Sequence, residues 1–351
     1  MKCVSQQFKC AARDPACKAP PFKTPRKNGW SCPLQVIQVL AWLVLTYLAV
    51  VGFAIFIPLL PPPWNYVVYS LNGLAFTVHL FSHLAALTVD PAHTMVRAKV
   101  DYSMPMPIFD RSKRPHVILD LHCYLCGVTV GPKTKHCGVC NKCVENFDHH
   151  CKWLNTCVGG RNYSYFFLAV FSATLGCFLL LVILLFIFIQ YLVDPRILRA
   201  NPHFLGVADE ESWLLFLPLA PIRTSSTVLM GFTFLTVALC FTCLLMLSHL
   251  LWFHILLFFR GVTTYEYINP NLLRPSQPEK ERSPSSQTSK SHPLFRSMDS
   301  SVVNVGDLFI RNMSSQLSTT PDFQRTIGMS WDSSRGSHDP RGSLLWTSVE
   351  F

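Results

Sequence analysis

The chain has 351 residues, of which 50% are hydrophobic and only 14% charged, against roughly 25% charged in an ordinary soluble domain. That balance excludes a disordered or fibrous chain and leaves too few charges to coat a purely soluble protein. A net charge of +10 would suit a polyanion partner, but it also suits a membrane protein whose basic loops lie on the cytosolic side.

The first segment, 1–33, is basic and carries Cys3, Cys10, Cys17 and Cys32. It reads as a flexible, membrane-hugging arm whose cysteines are open to lipidation. Four charge-free apolar runs follow, at 34–57, 64–89, 163–193 and 224–259. A hydrocarbon core takes about 20 residues to span, so each run is long enough for a transmembrane helix. The first run begins too late, and is too long, for the core of a cleavable leader. Inside the second, His79 and His83 lie one helical turn apart and read as bundle packing. Inside the third, Ser172, Ala173 and Gly176 form a small-residue stripe that suits close helix contact.

Lys and Arg number seven in 1–33, ten in 90–162, three in 194–223 and ten in 260–351. An even number of spans separates the three basic segments, so the positive-inside rule puts all of them in the cytosol. There the sequons at Asn162 and Asn312 escape glycosylation, and a reducing compartment favours metal over disulfides for the cysteines of 90–162. The tail 271–351, rich in Ser, Thr, Pro and Gln, reads as disordered and open to phosphorylation.

The chemistry concentrates between Cys123 and Cys157, where seven cysteines and three histidines fall within 35 residues. They run Cys123-x2-Cys126-x9-His136-Cys137-x2-Cys140-x2-Cys143-x4-Asp148-His149-His150-Cys151-x5-Cys157. A Cys-x2-Cys knuckle supplies two ligands of a tetrahedral zinc site from one tight turn. Ten potential ligands fill two zinc ions and leave two residues over. A RING-type ligase does not fit, because only a membrane span follows Cys157. A spare thiol beside an imidazole is a candidate nucleophile. Cys151 is such a thiol, with one His to take its proton and Asp148 to fix that ring's tautomer. Spacing alone equally allows Cys151 to bind zinc while another cysteine is spare.

The Asp148-His149-His150-Cys151 tetrapeptide in this setting resembles the DHHC family of protein S-acyltransferases (palmitoyltransferases). The likeness covers about 90–270 and the four-span layout. Asn162 and Phe166 follow Cys157 at the family spacing, Thr263-Thr264-Tyr265-Glu266 resembles its T-T-x-E motif, and Asp90-Pro91 its D-P-G motif, with Ala92 replacing glycine. The resemblance implies an α-helical polytopic membrane protein, with four spans and a cytosolic two-zinc domain between spans 2 and 3. It implies Cys123, Cys126, His136 and Cys143 on one zinc, and Cys137, Cys140, His150 and Cys157 on the other. It leaves Cys151 as nucleophile, His149 as base and Asp148 as its orienting group. A fatty acyl-CoA is the implied co-substrate, membrane-associated proteins with cytosolic cysteines the acceptors, and the endoplasmic reticulum, Golgi or endosomes the location. The implied organisation is an arm 1–33, spans 34–89, a zinc domain 90–162, spans 163–259 with a lumenal loop, a T-T-x-E segment 260–270 and the tail 271–351.

The sequence departs from the family where Lys-Pro-x-Arg is common and Val130-Gly131-Pro132-Lys133 stands instead. Lys133 and Lys135 keep positive charge there and are candidates for the CoA phosphates. Asn269 is a weak stand-in for a further aromatic-Asn motif. These departures leave a catalytically weak membrane scaffold as the alternative. Spans without Asp, Glu, Lys or Arg argue against a channel or transporter.

Overall fold

The computed structural model describes residues 22–269, except 111, 113, 208, 210, 211 and 217–220. The arm cysteines Cys3, Cys10 and Cys17, the sequon at Asn312 and the tail 271–351 lie outside the described residues.

Among the described residues, four helices are long and apolar enough to cross a membrane. The first, α1 (Val36–Val51), continues through a π turn at Gly52–Phe56 and a 3-10 turn at Ile57–Leu59. The cause is local. The Ile57 N–H bonds the Gly52 carbonyl, five residues back. In that register the next donor belongs to Pro58, which has none. The Tyr69 hydroxyl donates to the Phe53 carbonyl instead, at 2.9 Å. The second span, α2 (Trp64–Thr88), stops just before Asp90-Pro91, since proline disfavours helix in the residue before it. His83 accepts a hydrogen bond from the Trp42 indole of α1 at 3.2 Å, and His79 Nδ1 lies 3.0 Å from the Ala169 carbonyl. Both histidines therefore tie spans together, as the packing reading expects.

A short helix, α3 (Thr94–Lys99), opens the 90–162 loop. The strands in this loop, and the one from the N-terminal segment that joins them, have two or three residues each. β1 (Phe22–Lys23) pairs with β2 (Met106–Pro107). β3 (Ile118–Leu119), β4 (His122–Cys123) and β5 (Val128–Thr129) form a three-stranded ribbon. Two hairpins follow, β6 (Lys135–Cys137) with β7 (Lys142–Val144), and β8 (His149–Cys151) with β9 (Thr156–Val158). Strands this short enclose little apolar core, the situation in which small domains rely on metal or disulfide staples.

The third span, α4 (Tyr163–Val193), starts directly after β9 and packs against α2 and the fourth span, α5 (Ser226–Arg260). Between α4 and α5, β10 (Ser212–Phe216) and β11 (Pro221–Ser225) form an antiparallel hairpin. Its Trp213 is buried with Leu184, Ile187 and Leu229 in the largest apolar cluster. Helix α5 ends at Gly261, whose φ of +65° is the left-handed cap that glycine allows. Helix α6 (Thr264–Ile268) carries a capping box, with Thr263 and Glu266 exchanging hydrogen bonds.

Residues 22–33 are not the flexible arm that composition suggests. The Arg26 N–H bonds the Cys140 carbonyl at 2.8 Å, and its buried guanidinium donates to Asn155 Oδ1 at 2.8 Å. Lys142 Nζ reaches the Lys27 carbonyl at 2.7 Å and Asp90 Oδ1 at 2.6 Å, while Asn28 and Trp30 bond Thr88. This strap crosses the cysteine-rich loop and enters α1. Hydrogen bonds to polar groups far along the chain order it, and a hydropathy pattern cannot show those.

Candidate active site and metal centres

Two groups of four donors converge in the loop: Cys123, Cys126, His136 and Cys143, and Cys137, Cys140, His150 and Cys157. In the first, His136 Nδ1 lies 3.6, 3.5 and 3.7 Å from the sulfurs of Cys123, Cys126 and Cys143. In the second, His150 Nδ1 lies 3.8, 3.4 and 3.6 Å from those of Cys137, Cys140 and Cys157. Zinc bonds of about 2.3 Å to sulfur and about 2.05 Å to nitrogen, at tetrahedral angles, place S and N about 3.6 Å apart. Both groups match that edge length, so both fit a zinc ion. His136 also turns Nε2 toward Asn141 Oδ1 at 3.2 Å, the kind of outer hydrogen bond that fixes the tautomer of a metal-binding histidine.

Strand alternation explains the interleaving. Directly opposed residues of an antiparallel pair share a face, and neighbours along a strand point to opposite faces. The pairs His136↔Cys143 and His150↔Cys157 each supply one His and one Cys to a single group. The knuckles Cys123-x2-Cys126 and Cys137-x2-Cys140 supply the rest, each followed by a residue with positive φ, Gly127 at +61° and Asn141 at +52°. Cys137 follows His136 on β6 and so turns to the other group.

The same alternation separates the adjacent histidines. His150 faces the second donor group, while His149 and Cys151 flank it on the opposite face. Cys151 packs there with Val158, Phe166, Val170, Ala86 and Leu87, and is buried. His149 Nδ1 bonds Asp148 Oδ2 at 2.6 Å, and the ring also hydrogen-bonds Cys151. Burial opposes charge on this imidazole, but the bonds to Asp148 and Cys151 outweigh it and raise its pKa to about 9. Asp148 is held in turn by Thr264, whose N–H donates to Oδ1 at 2.9 Å and whose hydroxyl donates to Oδ2 at 2.7 Å. Burial pushes the carboxyl pKa up, and the hydrogen bonds from His149 and Thr264 bring it below the usual value.

Asn162 and Phe166 both serve this arrangement. Asn162 is buried, accepts the Gly159 N–H at 2.9 Å and donates to the Cys157 carbonyl at 3.0 Å. Phe166 sets its ring edge-to-face against both His149 and His254. His254, on α5, is a site residue that motif reading missed. Its ring lies 5.8 Å from that of His149, and its Nδ1 3.3 Å from the Tyr163 hydroxyl. The imidazoles of this charge-poor span, His249 and His254, were the available signal. Asp148, His149 and His254 also form a donor group, but each already hydrogen-bonds a neighbour.

Lys133 and Lys135 stand at the edge of the site, against α6. Lys133 Nζ pairs with Glu266 at 3.2 Å and is 58% exposed, and Lys135 Nζ lies 5.2 Å above the Tyr265 ring. The stripe of α4 is buried at Ser172 and open at Gly176. Ser172, Ala173 and Gly176 line a narrow apolar cavity with Gly52, Phe53 and Ala75, and a Cβ on Gly176 would meet no atom within 4 Å.

Residues 117–271 match the family model described as DHHC palmitoyltransferase. Palmitoyltransferase ZDHHC11 of Danio rerio is 55% identical over 266 residues, which are 76% of this chain and 62% of that protein. Palmitoyltransferase ZDHHC11 of Homo sapiens is 46% identical over 286 residues, 82% of this chain and 68% of its own length. Palmitoyltransferase ZDHHC1 of Danio rerio is 52% identical over 244 residues, 69% of this chain and 42% of its own length. The chain thus spans less than two thirds of some of the relatives it matches. With two interleaved Cys/His groups, an Asp-His-His-Cys hairpin between them and relatives of this identity, the chain belongs to the DHHC palmitoyltransferase family.

Proposed function

We propose that the chain is a protein S-acyltransferase that moves a long-chain fatty acyl group from acyl-CoA, through a thioester on Cys151, to cysteine thiols of membrane-associated proteins. The observation that carries this reading is that Cys151 stands outside both four-donor groups, beside an imidazole already tied to a carboxylate. The eight Cys and His donors would hold two zinc ions, which supply structural rigidity to the hairpins.

Asp148 holds a proton on His149 Nδ1, and Nε2 accepts one from Cys151. The Cys151 thiolate adds to the acyl carbonyl carbon, the bond to the CoA sulfur breaks, and the CoA thiolate leaves with the proton that His149 returns. A substrate thiol repeats the sequence on the Cys151 thioester. Exchange between thioesters is nearly energy-neutral, so positioning and thiolate supply carry the rate. The fatty chain lies along α4 in the cavity lined by Ser172 and Gly176. Lys133 and Lys135 meet the CoA phosphates, with Lys133 exchanging Glu266 for phosphate. The site, both ends of the chain and the tail face the cytosol, and the membrane is that of the endoplasmic reticulum, Golgi or endosomes.

Reconstitution in vesicles with palmitoyl-CoA and a lipid-anchored peptide carrying one cysteine tests this reading. Hydroxylamine-labile label on the peptide, dependent on the protein, is expected. Unlabelled peptide alongside an intact, zinc-loaded protein would contradict it.

A further inference from the structure

Thr156 lies directly opposite Cys151 in the β8–β9 hairpin. Opposed residues share a face, with Cβ atoms about 4.5–5.5 Å apart. The packing agrees, since Val158, two residues on and on the same face as Thr156, shares an apolar cluster with Cys151, whereas Cys157 lies with Cys137 and Cys140. Thr156 is fully buried, and its hydroxyl has no hydrogen-bond partner. An unpaired buried hydroxyl is costly and calls for an explanation. Cys151 Sγ itself is not within bonding reach of that hydroxyl. An oxygen on the carbon attached to Sγ would lie on the face that the two side chains share.

We propose that Thr156 is a catalytic residue that stabilises the oxyanion in both acyl-transfer steps. This rests on the Cys151 thioester reading above. When the Cys151 thiolate adds to the acyl carbonyl, a C–S bond forms and the carbonyl π pair moves onto oxygen. The Thr156 O–H donates to that oxyanion. The pair then returns to carbon as the bond to the departing sulfur breaks, and the thiolate released takes its proton from His149. Transfer to the substrate thiol passes through an oxyanion at the same place. The hydroxyl has no bond to lose in the resting protein, so donating costs nothing already made.

The test compares Thr156→Val, Thr156→Ala and Thr156→Ser with wild type, all purified with zinc content measured. The readouts are thioester formation from palmitoyl-CoA and transfer to a peptide thiol. Val and Ala should keep both zincs and an unchanged KM for acyl-CoA, while the rates of both steps fall about 100-fold, the usual cost of one oxyanion donor. Ser should stay within about 5-fold of wild type. Wild-type rates in Val and Ala would overturn the inference, as would equal losses in all three variants, which would show a packing requirement at this position, or a loss in Ala and Ser that spares Val, which would point to the methyl group. Should wild type itself form no thioester at Cys151, the reading beneath would fail instead.

Discussion

Thr264 and Asp148 are 116 residues apart in sequence, yet both oxygens of the Asp148 carboxylate accept hydrogen bonds from Thr264, one from its N–H and one from its hydroxyl. The motif after the fourth span thereby orients the carboxylate that orients His149.

Thr264→Val should remove the hydroxyl bond and keep the backbone one. A hydrogen bond to a charged group is worth about 1.5–3 kcal/mol, so thioester formation should slow by about 10-fold to 100-fold. Zinc content should be unchanged. Stopped-time acylation with metal analysis on the same sample checks both, and wild-type kinetics would show that Asp148 needs no such support.

The adjacent histidines should respond differently to removal. His149→Ala is expected to retain both zincs and lose most acylation. His150→Ala is expected to lose one zinc and to destabilise the loop, because structural zinc contributes folding energy directly. Zinc-to-protein ratios that fall equally in both would refute the division of faces.

The strap 22–33 should matter for the hairpin that carries Cys151. Arg26 joins the Cys140 carbonyl to Asn155, and Asn155 sits in the turn between β8 and β9 with a φ of +54°. Arg26→Ala leaves a buried amide partner unpaired and should lower the melting temperature by several degrees, consistent with about 1–3 kcal/mol. Arg26→Lys should recover little, since a single ammonium cannot reproduce the planar fork. Thermal unfolding in detergent measures this, and an unshifted transition in Arg26→Ala would show the strap to be dispensable.

Gly176→Phe should fill the cavity beside α4. At 1.5 Å rise per residue Gly176 stands about 15 Å beyond Phe166, within the reach, on the order of 20 Å, of an extended sixteen-carbon chain. Competition between fourteen- and eighteen-carbon acyl-CoA should shift toward the shorter chain without loss of zinc. An unchanged ratio with intact activity would mean that the acyl chain lies elsewhere.

Much of this molecule is legible in its residues, and the illegible parts share a cause. The four spans show as charge-free runs because burial in lipid penalises every charge. The ligand pairing follows the family likeness, and the β6–β7 and β8–β9 registers give it a physical basis. The strap was hidden because Arg26, Asn28 and Lys142 look like solvated polar residues until their distant carbonyl partners are known. His254 was hidden because its closeness to His149 depends on how α5 packs against α4. The stripe at Ser172 and Gly176 suits close helix contact by composition, and the cavity beside it depends on where α1 and α2 stand.

The most direct measurement of the central claim is acyl-label incorporation into Cys151→Ser beside wild type, with zinc determined in both. Wild type should form a hydroxylamine-labile thioester, and Cys151→Ser should form none while binding the same two zinc equivalents per chain. A Cys151→Ser protein that lost about half of its zinc, or that still carried a thioester, would contradict the assignment of Cys151 as the free nucleophile.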